Sequence, residues 1–312
     1  MPSDLGPWGV GVIGQGPQVR FLLQRLSQRT DFVAAAHHDP EIGRAAWADC
    51  DSHSTAAAVI QDPRTRVIYM AGPAEAEQID AALHAGKPLI LSTTDGLTAH
   101  TLRRWGQSAQ EGRSVAVIDE ARRWDEDFLC AKTIVDRGVL GTLSRIRLSI
   151  HERCFPQEQF AAGALRELGI HWLDQLLAFV NSDLQQATLR TFSDSGDFQS
   201  GFVAMMEFRG ETSAIIELHL QSLLSLRTGW LLEGSTGAYR NGRLYTKTGD
   251  GEIIDEPVSQ AEIGRDPFFD SLAGLLNGTS GSHSLPDFIH AAKVVELVEE
   301  LSRSGRRADS HG

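Results

Sequence analysis

The chain has 312 residues, long enough for two domains with separate hydrophobic cores, and its 41% hydrophobic content is ordinary for a soluble globular protein. A net charge of −12 argues against nucleic acid or an anionic membrane as the main partner. Cys50, Cys130 and Cys154 show no C-x-x-C spacing, so neither a disulfide framework nor a metal site is expected. No apolar run reaches spanning length and no basic-then-apolar leader opens the chain, so the expected location is the cytoplasm.

Val10 to Ile13 reads as a buried strand running into Gly14-Gln15-Gly16-Pro17-Gln18, with Val19, Leu22 and Leu23 following at helical spacing. Strand, glycine turn and helix open a dinucleotide-binding unit. Gly14 permits the tight turn. Gly16 lets backbone approach a pyrophosphate, and the helix from about Gln18 to Gln28 offers N–H groups to it. The third glycine position holds Val19.

Phe32 to Ala36 is a second strand, ending at His37-His38-Asp39-Pro40, and Pro40 starts a helix through Trp47. Dinucleotide enzymes place an acid about 20 residues past the glycines, on the ribose hydroxyls. Here that place carries His37. An imidazole suits adenine stacking or a 2′-phosphate, so NADP fits at least as well as NAD; His37 and His38 equally suit an ordinary surface loop. Further units follow: a short helix at Ser54–Ile60, a strand at Val67–Met70 ending in Ala71-Gly72-Pro73, and a helix from Glu75 to Ala85. Leu89–Leu91 is a strand ending at Ser92-Thr93-Thr94, followed by a helix from Leu97 to Gly112 and a strand at Val115–Ile118. Alternation with short connections predicts a doubly wound parallel sheet over residues 1–121. Ligands sit beyond the carboxyl ends of such strands, which selects Gly14 to Gln18, His37, His38, Gly72, Pro73, Ser92 and Thr93 as cofactor-binding candidates.

Residues 122–312 read differently. A helix at Asp127–Arg137, capped by Gly138, precedes a strand at Leu143–Ile150 and an amphipathic helix from Gly163 to Val180. From Ala187 to Tyr245 the pattern is antiparallel, with strands at 187–190, 201–208, 212–220, 229–233 and 238–245. Helices at Phe268–Leu276 and Pro286–Arg303 and a polar tail from Ser304 end the chain. The expected domain is α+β, with a large, mostly antiparallel open sheet whose bare face pairs subunits into a homo-oligomer.

Glu167, His171 and Asp174 stand at i, i+4 and i+7 of the long helix, on one face. Carboxylates beside a histidine orient it and favour its cation, as general acid–base work requires. The same spacing also suits an ordinary helix with a satisfied histidine and two surface acids. Gly169 in mid-helix costs about 1 kcal/mol against Ala, which close approach of a ligand or neighbouring backbone would explain. Glu152, Arg153, Arg166 and Arg227 could face a cleft or be solvated surface charges.

Taken together the chain resembles the glucose–fructose oxidoreductase, inositol dehydrogenase and rhizopine-catabolism family (Gfo/Idh/MocA), from Gly11 to about Arg307. Gly14-Gln15-Gly16 resembles the family's nucleotide turn, Ala71-Gly72-Pro73 its A-T-P, and Ala81 to Leu89 its A-L-x-A-G-K-H-V segment. Arg123-Trp124 resembles its R-F, Gly138-Val139-Leu140-Gly141 its G-x-I-G turn, Glu167-x-Gly-x-His171-x-x-Asp174 its D-x-G-x-H-x-x-D helix, and Gly234-Ser235-Thr236-Gly237 its G-T-x-G hairpin. The resemblance implies an NAD- or NADP-dependent oxidoreductase acting on a small polyol. In it His171 moves the proton, Glu167 and Asp174 flank His171, and Arg123 helps hold nicotinamide or substrate. Three places depart from the pattern. The family's E-K-P lysine is replaced by Thr93, its histidine after A-T-P-N by Glu77, and its ribose acid by His37. Loss of the lysine leaves open a second reading, a non-catalytic nucleotide-binding sensor, regulator or partner subunit.

Overall fold

The structure, a computed structural model, describes residues 6–39, 50–151, 163–193, 199–220, 222–223, 229–258, 264–279 and 285–309. The helix expected from Pro40 to Trp47, and Glu152, Arg153, Cys154 and Arg227, lie outside them. Contacts divide the chain into two compact units, Met1–Ala121 with Gly264–Lys293, and Arg122–Ile263 with Val294–Gly312. The sequence reading put all of 122–312 in one domain; the contacts instead group 264–293 with the first unit.

The first unit holds β1 (Trp8–Gly14), α1 (Gly16–Ser27), β2 (Phe32–His38), β3 (Asp51–Ser52), α2 (Ala56–Gln61), β4 (Val67–Ala71), α3 (Ala76–His84), β5 (Leu89–Leu91), α4 (Ala99–Glu111) and β6 (Ala116–Ile118). The strands form one parallel sheet in the order β3-β2-β1-β4-β5-β6. The order reverses between β1 and β4, which opens a crevice beyond their carboxyl ends. A strand sandwiched between helices is apolar throughout, and β4, Val-Ile-Tyr-Met-Ala, is buried at all five positions. Helix α1 turns Val19, Leu22, Leu23 and Leu26 to the sheet. Thr55 and Thr98 cap α2 and α4 through their hydroxyls.

Aromatic packing explains why α7 (Pro267–Leu276) belongs here. Phe269 lies 4.9 Å from Phe32, ring to ring, and Phe268 meets Tyr69 edge-on at 6.5 Å. Arg25 bridges Asp119 (2.7 Å) and Asp266 (2.8 Å), while the Tyr69 hydroxyl donates to Asp119 at 2.7 Å. Burial pushes both the Tyr69 hydroxyl and the Asp119 carboxyl above their ordinary values.

The second unit starts with a 3-10 turn at Ala121–Trp124, α5 (Glu126–Asp136) and β7 (Leu143–His151). A π-helical turn at Leu165–Gly169 leads into α6 (Ile170–Phe179). Then come β8 (Leu184–Ser193), β9 (Gln199–Phe208), β10 (Thr212–His219), β11 (Gly229–Gly234), β12 (Gly237–Arg240), β13 (Arg243–Lys247) and β14 (Ile253–Pro257). The eight strands are ordered β14-β13-β12-β11-β7-β10-β9-β8. All neighbours are antiparallel except β7 and β10, which pair in parallel at the centre. The strand expected at 238–245 is a hairpin. Asn241 (φ 50°) and Gly242 (φ 76°) both take left-handed backbone, the two-residue turn that Asn-Gly favours. Helix α8 (Phe288–Asp309) carries on through the tail expected from Ser304.

One face of this sheet is core: Ile146, Leu148 and Ile150 of β7 and Ala214, Ile216 and Leu218 of β10 cluster with Trp172, Leu173 and Leu176 of α6. Period-two alternation sends Arg145, Arg147, Ser149 and His151 to the other face. Among the described residues no helix is long and apolar enough to cross a membrane.

Candidate functional site

In the first unit the strand-end residues meet along one edge. The backbone at Gly14 pairs with Ala71 across β1 and β4. A Cβ on Gly14 would lie 2.1 Å from the Ala71 carbonyl oxygen, so only glycine lets the two strands end this close. Gly16 takes φ 57°, a left-handed turn into α1. Gln15, Pro17 and Gln18 are exposed, whereas Gly16 between them is buried. Pro17, at the start of the helix, has no N–H, which leaves Gln18 and Val19 to supply amide donors there. Gly72 is left-handed at φ 108°, with open space where a side chain would stand, and Pro73 beside it is exposed. The Ser92 hydroxyl accepts from the Gly72 N–H at 2.8 Å, tying β4 and β5 at their ends. A glycine turn aimed by α1, open space above Gly72 and amide donors at a helix start suit a dinucleotide's pyrophosphate.

The end of β2 departs from the sequence reading. His37 is 1% exposed. Its Nδ1 lies 3.5 Å from the Cys50 sulfur, and its Nε2 is buried with no hydrogen-bond partner. Burial lowers the His37 pKa and pushes the Cys50 thiol up to about 12. His37 is thus neither a surface loop residue nor placed to stack on adenine, because its strand position points it into the sheet's interior. The half-buried His38 donates from Nδ1 to the His53 carbonyl at 3.1 Å. The residue at the turn is Asp39, whose Oδ2 accepts from the Gly16 N–H at 2.7 Å. Asp39 stands two places beyond His37, where the spacing expects the ribose acid. Its signal was the carboxylate two places beyond the expected one.

In the second unit, residues 165–169 form a π turn, not the regular helix expected there. Glu167 stands in this π turn, whereas His171 and Asp174 share the α-helical part that follows. Glu167 and His171 are half-buried. Arg123 and Asp174 are 6% and 5% exposed and pair with each other. The Arg123 Nε donates to Oδ2 of Asp174, and Nη2 donates to Oδ1 at 3.1 Å. The structure thus pairs Asp174 with Arg123, and both are buried. A Cβ on Gly169 would meet the Phe202 ring at 2.9 Å and Leu165 at 3.0 Å, so packed side chains crowd the position. Gln175 supports the same helix, accepting from the Trp230 indole at 2.9 Å and donating to the Arg122 carbonyl.

No cation replaces the missing lysine within its loop. The Thr93 hydroxyl accepts from the Asp95 N–H at 3.1 Å and shapes that loop. Lys87 donates to the carbonyls of Ile60 (2.5 Å) and Asp62 (3.2 Å), closing α2. Glu77 and Arg166 are exposed. Among the described residues no group of three or more His, Cys, Asp or Glu could hold a metal ion.

Comparison with known proteins agrees with this architecture. Residues 128–240 match the GFO/IDH/MocA C-terminal domain. An uncharacterized oxidoreductase of Escherichia coli K12, YdgJ, is 25% identical, across 93% of this chain and 94% of its own. An inositol 2-dehydrogenase of Klebsiella pneumoniae is 27% identical over 61% of this chain and 58% of that protein. The crystal structure of an NAD-binding protein from Listeria innocua shares the fold, with a TM-score of 0.74 at 19% identity, covering 96% of this chain and 95% of that one. The second-unit sequence thus matches the GFO/IDH/MocA C-terminal domain, and the chain as a whole is similar to these proteins in length and fold.

Proposed function

We propose that this chain is an NAD- or NADP-dependent oxidoreductase acting on a hydroxyl or carbonyl of a sugar, inositol or related small polyol. The observation that carries the reading is the left-handed glycine turn of the first unit, with Gly72, Ser92 and the start of α1 along one sheet edge. The inositol 2-dehydrogenase relative supports the substrate class. Residues 1–121 with 264–293 serve as the dinucleotide-binding unit, and 122–263 with 294–312 as the substrate and oligomerisation unit.

A bound nicotinamide supplies the hydride acceptor or donor. The chain does the rest. Gly14 to Gln18, Gly72, Pro73, Ser92 and Thr93 hold the cofactor. His171 takes the hydroxyl proton as the alcohol becomes a carbonyl and returns it in the reverse direction. Glu167 orients His171, and the Arg123–Asp174 pair fixes the helix that carries it. His171 bears the proton transfer without a lysine's help. Two copies pair through the outward face of the large sheet, where the half-exposed Ile215 and Leu231 flank Arg147 and the exposed Met205 lies beyond Ile215. The protein works in the cytoplasm.

The test is a fluorescence or thermal-shift titration with NADH and NADPH, then a panel of sugars, inositols and sugar acids followed at the nicotinamide absorbance. Binding of at least one nucleotide and turnover of at least one polyol are expected. No binding at millimolar nucleotide would end the reading, and binding without turnover would make the chain a sensor.

A further inference from the structure

We propose that the outward face of the large sheet carries a binding site for a phosphate ester of a small polyol, seated over Gly229 between Arg240 and the stacked pair His151 and His219. The inference goes beyond the dinucleotide reading and does not rest on it. A cleft of about 650 Å³ opens on this face, within the second unit. Pockets that enclose a small organic ligand measure roughly 300–1,000 Å³.

Strand register explains where the cleft opens. The parallel β7–β10 pair sets His151 opposite His219 and Ser149 opposite Glu217, and β11 sets Gly229 opposite Ser149. Gly229 is therefore a notch in a row of side chains. A Cβ there would lie 2.0 Å from Asn241 Oδ1, so the packing keeps the notch empty of a side chain of its own. Leu231 pairs with Arg147 on one side and with Arg240 on the other, so Arg240 and His151 both stand diagonal to Gly229. Diagonal neighbours lie about 7–8 Å apart, within reach of long and aromatic side chains.

The groups around the notch favour two kinds of ligand atom. The His151 and His219 rings stack 5.0 Å apart at 10°. A hydrogen bond between Ser222 Oγ and His151 Nδ1 (3.0 Å) fixes the nearer ring and leaves its Nε2 for a ligand. Arg240 is exposed, and among the described residues its guanidinium has no ion-pair partner. Arg147 is already engaged. Its Nη2 donates to both oxygens of Glu217 at 3.0 Å, and the Ser149 hydroxyl donates to one of them at 3.0 Å. Burial alone would push the Glu217 carboxyl up, yet those bonds hold it below its ordinary value. Glu217 is thus a fixed carboxylate that accepts from hydroxyls and repels a bare dianion, whereas Arg240 and the imidazole attract a phosphate. A molecule with a phosphate at one end and hydroxyls at the other satisfies both. The cleft has two guanidiniums against one carboxylate, on a chain of net charge −12, so anions are drawn here in preference to the rest of the surface.

The experiment is isothermal titration calorimetry of the full chain with inositol monophosphate, inositol and inorganic phosphate, for the wild type, Arg240→Ala and His151→Phe. Phenylalanine keeps a ring for the stack and removes the nitrogens. The wild type should bind inositol monophosphate with a Kd below about 1 mM, at least about tenfold more tightly than inositol or inorganic phosphate. Each variant should weaken the ester by about tenfold or more. No binding of the ester by the wild type overturns the proposal. Binding that Arg240→Ala retains in full also overturns it, because the ester then sits elsewhere, and so does inorganic phosphate that matches the ester. If His151→Phe fails to fold in a thermal melt, Arg240→Ala decides, since its side chain has no partner to lose. An NADH titration and sedimentation of the same samples read nucleotide binding and pairing of copies separately, so failure of either reading is distinct from failure of this site.

Discussion

Arg123 grips both oxygens of Asp174 in a buried, two-pronged ion pair. It ties the 3-10 turn after the first unit's last strand to the helix that carries His171. Two charges buried together hold each other at little net gain, but one left alone is costly. Asp174→Ala should therefore destabilise the protein by about 3–5 kcal/mol. The double variant Arg123→Met, Asp174→Leu should recover most of that loss. Urea denaturation of the three proteins checks it, and a double variant as unstable as the single one would contradict it.

Removal of the proposed proton carrier should act on rate and not on cofactor affinity. His171→Ala should lower kcat/KM by about 10²–10⁴-fold while the NADH dissociation constant stays within about twofold. Steady-state kinetics beside a fluorescence titration separates the two. An unaffected rate would remove His171 from the mechanism.

Gly169 sets two effects against each other. Alanine gains about 1 kcal/mol of helix propensity. Its Cβ would meet Phe202 at 2.9 Å, and Phe202 is 1% exposed with nowhere to retreat. Overpacking of that kind costs about 1–3 kcal/mol, so Gly169→Ala should lose about 1 kcal/mol net. Combination with Phe202→Leu should return part of it. Thermal melting of both variants measures the difference.

Acid should erode one local network in a defined direction. Burial alone would push the Asp62 carboxyl up, but hydrogen bonds from Arg64 and His53 hold it far below its ordinary 3.8. A carboxylate with a depressed folded value adds stability that is present above its unfolded value and lost as pH falls toward the folded one. Stability should therefore drop below about pH 4, and Asp62→Asn should flatten that limb. Melting temperature against pH, wild type beside variant, reads it directly.

Much of the first unit was legible because its signals are local. Val10–Ile13 and Val67–Met70 are continuous apolar runs, as doubly covered strands must be, and the glycines of the turn stand next to each other in the chain. The Asn241-Gly242 hairpin was also written locally, and the long run of 238–245 hid it. The parallel β7–β10 pair was not legible, because the residues between them obscure which strands become neighbours.

The sequence by itself determined the alternation of strands and helices, the glycine turn, the absence of a lysine at Thr93 and the presence of His171 on a helix. Each is a property of residue identity at short spacing. Only the tertiary structure decided that His37 is buried and Asp39 meets Gly16, that Asp174 faces Arg123 across 51 positions of chain, and that 264–293 joins the first unit. Those outcomes depend on which distant groups a side chain reaches once strands are in register and helices are packed, and no local spacing encodes that distance.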